Sequence, residues 1–226
     1  ENELNTILEK MKKLLLSAFV ICLAGTSIAQ ESPLWMRHCA LSPDGTTIAF
    51  IYKGDIYTVP STGGRATQIT TNPAFDTEPV WSPDSKQIAF ASDRMGSLDV
   101  FVVSSEGGAP QRLTTHSGSE KPVAYKDNKH ILFTANIAPS AEDAGFPSGQ
   151  FQQVYEVAVT GGRPAMFSSM PMECISINKE GVMLYQDKKG YEDYWRKHQV
   201  SPIARDIWTY TPGSSVFQPL RAKMSL

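Results

Sequence analysis

A unit of about forty-odd residues recurs four times along this chain, and it restricts the fold more than any single residue does. The clearest copy runs Glu78–Asp93 (EPVWSPDSKQIAFASD) and then Leu98–Thr114 (LDVFVVSSEGGAPQRLT). The copy before it reads LSPDGTTIAF (Leu41–Phe50) and GDIYTVPSTGGRATQIT (Gly54–Thr70). Two looser copies follow, AYKDNKHILF (Ala124–Phe133) with QVYEVAVTGGRP (Gln153–Pro164), and ISINKEGVMLY (Ile175–Tyr185) with RDIWTYTPGSSVFQPL (Arg205–Leu220). A period of roughly 40–45 residues carrying only strand signals is that of propeller blades stacked side by side.

Each copy divides into four strands. In the second they are expected at Glu78–Trp81, Gln87–Ala91, Asp99–Val103 and Gln111–Thr114. Ser82-Pro83-Asp84-Ser85 supplies a type I turn, in which proline presets the backbone and Asp bonds its own chain. Ile88 and Phe90 alternate with smaller or polar neighbours, as on a strand with one apolar face. Gly107-Gly108 provides the positive φ of a tight hairpin. Gly45, Ser85, Asn128 and Gly181 fall near one turn position, where glycine and asparagine tolerate a left-handed backbone. No stretch has the period of a long amphipathic helix. The expected class is all-β, a propeller of four-stranded blades near 34–70, 78–114, 121–167 and 172–221. About four blades of a six- or seven-bladed ring are expected, since four closing on themselves are uncommon and an open arc exposes an apolar face at each end.

Ahead of the repeats, Met11 is followed by Lys12 and Lys13, an apolar run from Leu14 to Gly25, and small residues at Ser27 and Ala29. This is the pattern of a signal peptide over 11–29, with cleavage after Ala29 and export to the periplasm or beyond. The run is too short for a spanning helix, so no stable membrane anchor is expected after cleavage. Residues 1–10 precede a natural start and read as an upstream extension. Cleavage leaves Cys39 and Cys174, in the first strands of non-adjacent copies; they are read as buried free thiols ahead of a disulfide. A net charge of −2 without a basic patch argues against nucleic acid as a partner.

Strand direction separates two faces. The Ser-Pro-Asp turns and the double-glycine hairpins share one. The second-to-third connections and the links between blades share the other, and there the long insertions Ile137–Gln150 and Asp187–Ala204 fall. Long loops on one rim of a rigid scaffold are where binding resides. The second insertion is aromatic and charged, with Tyr194, Trp195, Arg196 and His198 as candidate contacts. The inter-blade links bring Asp76, Glu78, His116, Glu120 and Lys121 toward the channel mouth, where solvated loop charge is the reading ahead of ligand contact. No Gly-x-Ser-x-Gly elbow, His-Glu-x-x-His or paired-cysteine spacing occurs, so no catalytic residue, metal or cofactor is assigned.

The combination of Ser-Pro-Asp-Gly, Ile-Ala-Phe, Asp-Ile-Tyr, Gly-Gly and a closing Leu-Thr resembles the repeats of TolB-like propellers. Tyr52–Arg94 and, more specifically, Gly190–Tyr210 (GYEDYWRKHQVSPIARDIWTY) are similar to the tricorn-like exported serine peptidases. That resemblance, from Met11 to about Tyr210, implies a non-catalytic N-terminal propeller that presents or gates peptide or protein substrates. The peptidase core, its partner in such proteins, would lie downstream, so no catalytic residue is carried over. The alternative is a TolB-like periplasmic interaction module without enzymatic activity.

Overall fold

The computed structural model describes residues 35–137, 152–187, 205–214 and 216–220. The signal-peptide reading over 11–29 and the loop candidates Tyr194, Trp195, Arg196 and His198 lie outside them. Among the described residues there are sixteen strands, no α-helix, and no helix long and apolar enough to cross a membrane.

The strands form four antiparallel sheets of four, each in sequence order, as expected for propeller blades. Blade one holds β1 (Arg37–Leu41), β2 (Thr47–Tyr52), β3 (Asp55–Pro60) and β4 (Thr67–Gln68). Blade two holds β5 (Asp76–Trp81), β6 (Gln87–Ser92), β7 (Asp99–Ser104) and β8 (Gln111–Arg112). Blade three holds β9 (Lys121–Asp127), β10 (His130–Ala135), β11 (Gln153–Ala158) and β12 (Ala165–Ser168). Blade four holds β13 (Met172–Ile177), β14 (Met183–Asp187), β15 (Ile207–Tyr210) and β16 (Phe217–Pro219).

Three apolar clusters sit between successive blades. Ile56, Ile69, Trp81, Ile88, Phe90 and Phe101 join blades one and two. Val100, Leu113, Tyr125, Phe133 and Tyr155 join two and three, and Leu132, Val154, Met172, Met183 and Tyr185 join three and four. A middle blade is therefore apolar on both faces. Ala89 and Ala91 are as completely buried as Ile88 and Phe90, so the small residues of the alternation are packing residues too.

The outer strands are shorter than expected. β8 stops at Arg112, and the Oγ1 of Thr114 then accepts the Val100 N–H at 2.9 Å; Thr70 does the same for Ile56 at 2.9 Å. A buried hydroxyl takes over where the ladder ends, which is the physical role of the closing Leu-Thr. The first turn also differs in detail. Gly45, Ser85 and Gly181 have φ of 75°, 60° and 79°, whereas Asn128 is absent from the left-handed set. Instead the side chains of Ser85 and Asn128 accept the backbone N–H of Asp44 and Asp84, at 3.3 and 3.1 Å. The turns of blades one and two are thereby each clasped by the turn of the next blade. The carboxylate of Asp44 also accepts Ser42 Oγ at 2.6 Å and the Thr46 N–H at 2.9 Å, and these bonds, led by Ser42, hold its pKa at about 2.

Candidate functional site

The innermost strands β1, β5, β9 and β13 line a channel of about 1030 Å³, to which each blade contributes residues such as Cys39, Val80, Tyr125 and Ile177. Every one of these strands is irregular near its start. Register breaks between Arg37 and Ala40, between Thr77 and Val80 and between Glu173 and Ser176, and β9 slips between Pro122 and Ala124. Bulges of this kind re-aim side chains at a barrel or propeller rim.

At the bulge, His38, Glu78 and Cys174 occupy one equivalent position in three blades, and all three are left-handed, with φ of 50°, 53° and 52°. Pairing places Pro122 at that position in β9, and its ring forbids a positive φ. A strained non-glycine backbone costs about 1–3 kcal/mol and gathers at functional sites. Here strain recurs around one ring.

Two of the strained residues, His38 and Glu78, meet. Glu78 Oε2 lies 3.3 Å from His38 Nδ1 of blade one, and Glu78 Oε1 lies 3.9 Å from Lys121 Nζ of blade three. All three side chains are more than a third exposed, so these pairs are worth about 0–1 kcal/mol and do not repay the strain. The rim presents the His38 imidazole, the Glu78 carboxylate and the Lys121 ammonium in a row to whatever approaches the channel. Glu78 and Lys121 were expected at the mouth; His38 was not, because a lone histidine in a strand sequence carries no signal of the bulge that turns it inward.

The remaining link residues behave differently. Asp76 and Glu120 are fully buried, which corrects the reading of them as solvated loop charge. Their backbone N–H groups bond Gly54 O at 2.8 Å and Leu98 O at 2.7 Å, drawing the start of each blade beneath its predecessor. Asp76 is neutralised there by Arg94, whose Nη2 donates to both carboxylate oxygens at 2.9 and 3.1 Å. Arg94 also stacks on Phe90 and Phe101, at 5.4 and 4.6 Å from the ring centroids.

Glu120 accepts the His116 N–H at 3.3 Å, and burial raises its pKa. The same cause raises Asp99, although Arg112 Nη2 stands 2.8 Å from its Oδ2, without the alignment of a hydrogen bond. His116 is held at this junction as well, its Nδ1 accepting the Gly118 N–H at 3.0 Å. These are structural positions between blades; they do not reach the rim row.

Cys39 and Cys174 are free but exposed, not buried as expected. Both lie at the bulge of an innermost strand, where the register break leaves their side chains exposed, while other residues of the innermost strands are buried between blades. Among the described residues no group of three or more His, Cys, Asp or Glu is placed to hold a metal.

Comparison with known proteins follows the same lines. The uncharacterized peptidase YuxL of Bacillus subtilis is 32% identical over 108 residues, covering 42% of this chain and 16% of that protein. Tricorn protease homolog 1 of Streptomyces coelicolor is 38% identical over 77 residues, covering 34% of this chain and 7% of that protein. The chain thus spans a small part of the curated relatives it matches. Among solved structures, the tricorn protease superposes with a TM-score of 0.62 at 17% identity, over 84% of this chain and 18% of that one. A putative TolB from Agrobacterium tumefaciens gives 0.59 at 23%, over 81% and 65%. The family described as the tricorn protease N-terminal beta propeller domain matches residues 33–225, nearly the whole repeat region, and the chain belongs to that family.

Proposed function

We propose that this chain is the non-catalytic propeller portion of an exported tricorn-like serine peptidase, and that its channel rim presents or gates peptide substrates for a peptidase core. The observation that carries this reading is the rim row, in which His38, Glu78 and Lys121 from three blades meet at a strained bulge around the channel. A peptide brings both charges and a polar backbone, and a carboxylate flanked by an ammonium and an imidazole at a channel mouth is complementary to it. The signal-peptide pattern of 11–29 supports export.

The outer face of blade four supports the larger ring. Leu184, Ile207 and Leu220 are 38%, 47% and 55% exposed at positions where Ala89, Val100 and Leu113 of blade two are 0–4% exposed. A further blade would cover them as blade three covers blade two. The test is peptide binding by the purified chain, followed by fluorescence anisotropy with mixed-sequence labelled peptides. Binding that Glu78→Gln and His38→Ala together weaken is the expected result. Binding untouched by both changes would sink the rim, and peptide hydrolysis blocked by a serine reagent would overturn the non-catalytic role. Selective capture of a folded periplasmic protein with no affinity for peptides would favour the TolB-like interaction module.

A further inference from the structure

The Ser-Pro-Asp turns and double-glycine hairpins lie on the face away from the rim, and there blades one and two enclose a cavity of about 340 Å³. The equivalent place between blades two and three is closed, and strand register shows how. Val102 pairs with Ala89 as Thr58 pairs with Ala49, and Gln111 pairs with Val102 as Thr67 pairs with Thr58. Val159 donates its N–H to Lys129 O as Ser105 does to Lys86 O. Val102 is buried between blades two and three, Val159 packs on the same cluster, and Gln111 Nε2 crosses to Thr160 O at 3.1 Å. At the corresponding positions between blades one and two stand Thr58, Ser105 and Thr67, all lining the cavity. Three hydroxyls thus replace two valines and a strut.

Those hydroxyls make no hydrogen bond to any other side chain or backbone group among the described residues. Arg65 and Glu106, from the hairpins of blades one and two, also line the cavity. Both are exposed, and among the described residues neither side chain has an ion-pair partner. Asp44 adds a second carboxylate. The bonds it accepts from Ser42 Oγ, the Thr46 N–H and Thr46 Oγ1, at 2.6, 2.9 and 2.8 Å, all end on Oδ1, and Oδ2 takes none of them. Trp81 lines the cavity with its indole N–H already committed to Ala40 O at 2.9 Å.

We propose that this cavity binds a neutral sugar, one hexopyranose ring. A sugar hydroxyl donates and accepts at once, so carboxylates, a guanidinium and serine or threonine hydroxyls can all engage it together. The other ligand classes each leave something unmatched. An anion meets two carboxylates, and an apolar group would desolvate the Thr58 and Ser105 hydroxyls without pairing them. A zwitterion would use the exposed charges of Arg65 and Glu106 and leave the hydroxyl of Thr58, only 8% exposed, unused. The volume is near the lower end of the roughly 300–1,000 Å³ of ligand pockets, which suits a single ring. The site is on the other face from His38, Glu78 and Lys121, and it does not depend on the peptide-presenting reading.

The test uses the full chain with the methyl glycosides of D-glucose, D-galactose, D-mannose and N-acetyl-D-glucosamine, followed by saturation-transfer NMR and then calorimetric titration of the best of them. Glycylglycine and inorganic phosphate serve as charged controls at the same concentration. At least one glycoside should bind saturably and more tightly than either control. The double variant Thr58→Val with Ser105→Val rebuilds the lining found between blades two and three. It should weaken that glycoside about tenfold or more, with a urea midpoint equal to or above that of the wild type. Arg65→Ala and Glu106→Gln, both at exposed positions that leave the fold intact, should each weaken it several-fold. Absence of transfer from all four glycosides would overturn the inference and leave the cavity to water. So would tighter binding of glycylglycine, which would make it a zwitterion site, or of phosphate, which would make it an anion site. Glycoside binding unchanged in both Arg65→Ala and Glu106→Gln would place the sugar elsewhere and refute this cavity.

Discussion

Removing the Arg94 side chain should cost this chain far more than a surface substitution does. Arg94 is only 10% exposed and Asp76 is 0% exposed, so Arg94→Met leaves a carboxylate in the blade junction with no cation. Breaking such a pair from one side costs about 3–5 kcal/mol, because the remaining charge is neither solvated nor compensated. Methionine keeps contact with Phe90 and Phe101, so loss of packing is a minor part. The double variant Asp76→Leu with Arg94→Met removes both charges and should return to within about 1 kcal/mol of the wild type. Urea unfolding of the purified chain, followed by tryptophan fluorescence, reads this directly. With a slope of about 2 kcal/mol per molar, the single variant should lose about 1.5–2.5 M in midpoint and the double variant less than ~0.5 M. A single variant within ~0.5 M of wild type, or a double variant worse than the single one, would show that the ion pair is not what holds this junction.

Other expectations are smaller but equally definite. Glu78→Gly and Glu78→Ala both delete the rim charge, yet glycine alone accepts a φ of 53° without strain, so the glycine variant should be about 1–2 kcal/mol more stable than the alanine variant by the same urea assay; equal stabilities would refute left-handed strain at the bulge. Glu120 has a raised pKa, so its folded form holds a proton more tightly than its unfolded form, and its contribution is favourable at low pH and lost as pH rises through the folded pKa. Glu120→Gln should therefore gain thermal stability relative to wild type at pH 8 and gain least at pH 4, and a gain independent of pH would contradict this. Trp81→Phe loses the indole bond to Ala40 O at 2.9 Å and should cost about 1 kcal/mol or slightly more between blades one and two. Cys39 and Cys174 should both be alkylated by iodoacetamide in the folded chain, and mass spectrometry showing protection of either would contradict its exposure.

The blade pattern was legible because strand period, turn chemistry and repeat length all point the same way. Ser82-Pro83-Asp84 and Gly107-Gly108 named their turns from local rules alone. What the sequence hid are effects that need a neighbour. Asp76 and Glu120 read as loop charges because their burial depends on backbone bonds to the preceding blade, made by Gly54 and Leu98. His38 and Cys39 read as ordinary strand residues because a bulge leaves no compositional mark when glycine is not used. Asn128 has the sequence signature of a left-handed turn former, yet it acts as an acceptor for the Asp84 N–H. The rim row joins residues 38, 78 and 121, separations that no local pattern can encode.

The clasp between successive turns has a consequence for how such chains lengthen. Asp44 is held by Ser85, and Asp84 by Asn128, so the acceptor a turn needs is carried by the unit that follows it. A duplicate of blade two or three, inserted before blade two or three, arrives with its own acceptor for the unit before it and finds one waiting in the unit after it. Only a short polar side chain at a single turn position has to be kept, and serine and asparagine both serve. Blade number is thus decoupled from turn stability, and a lineage can add or delete whole blades without redesigning the joints between those that remain.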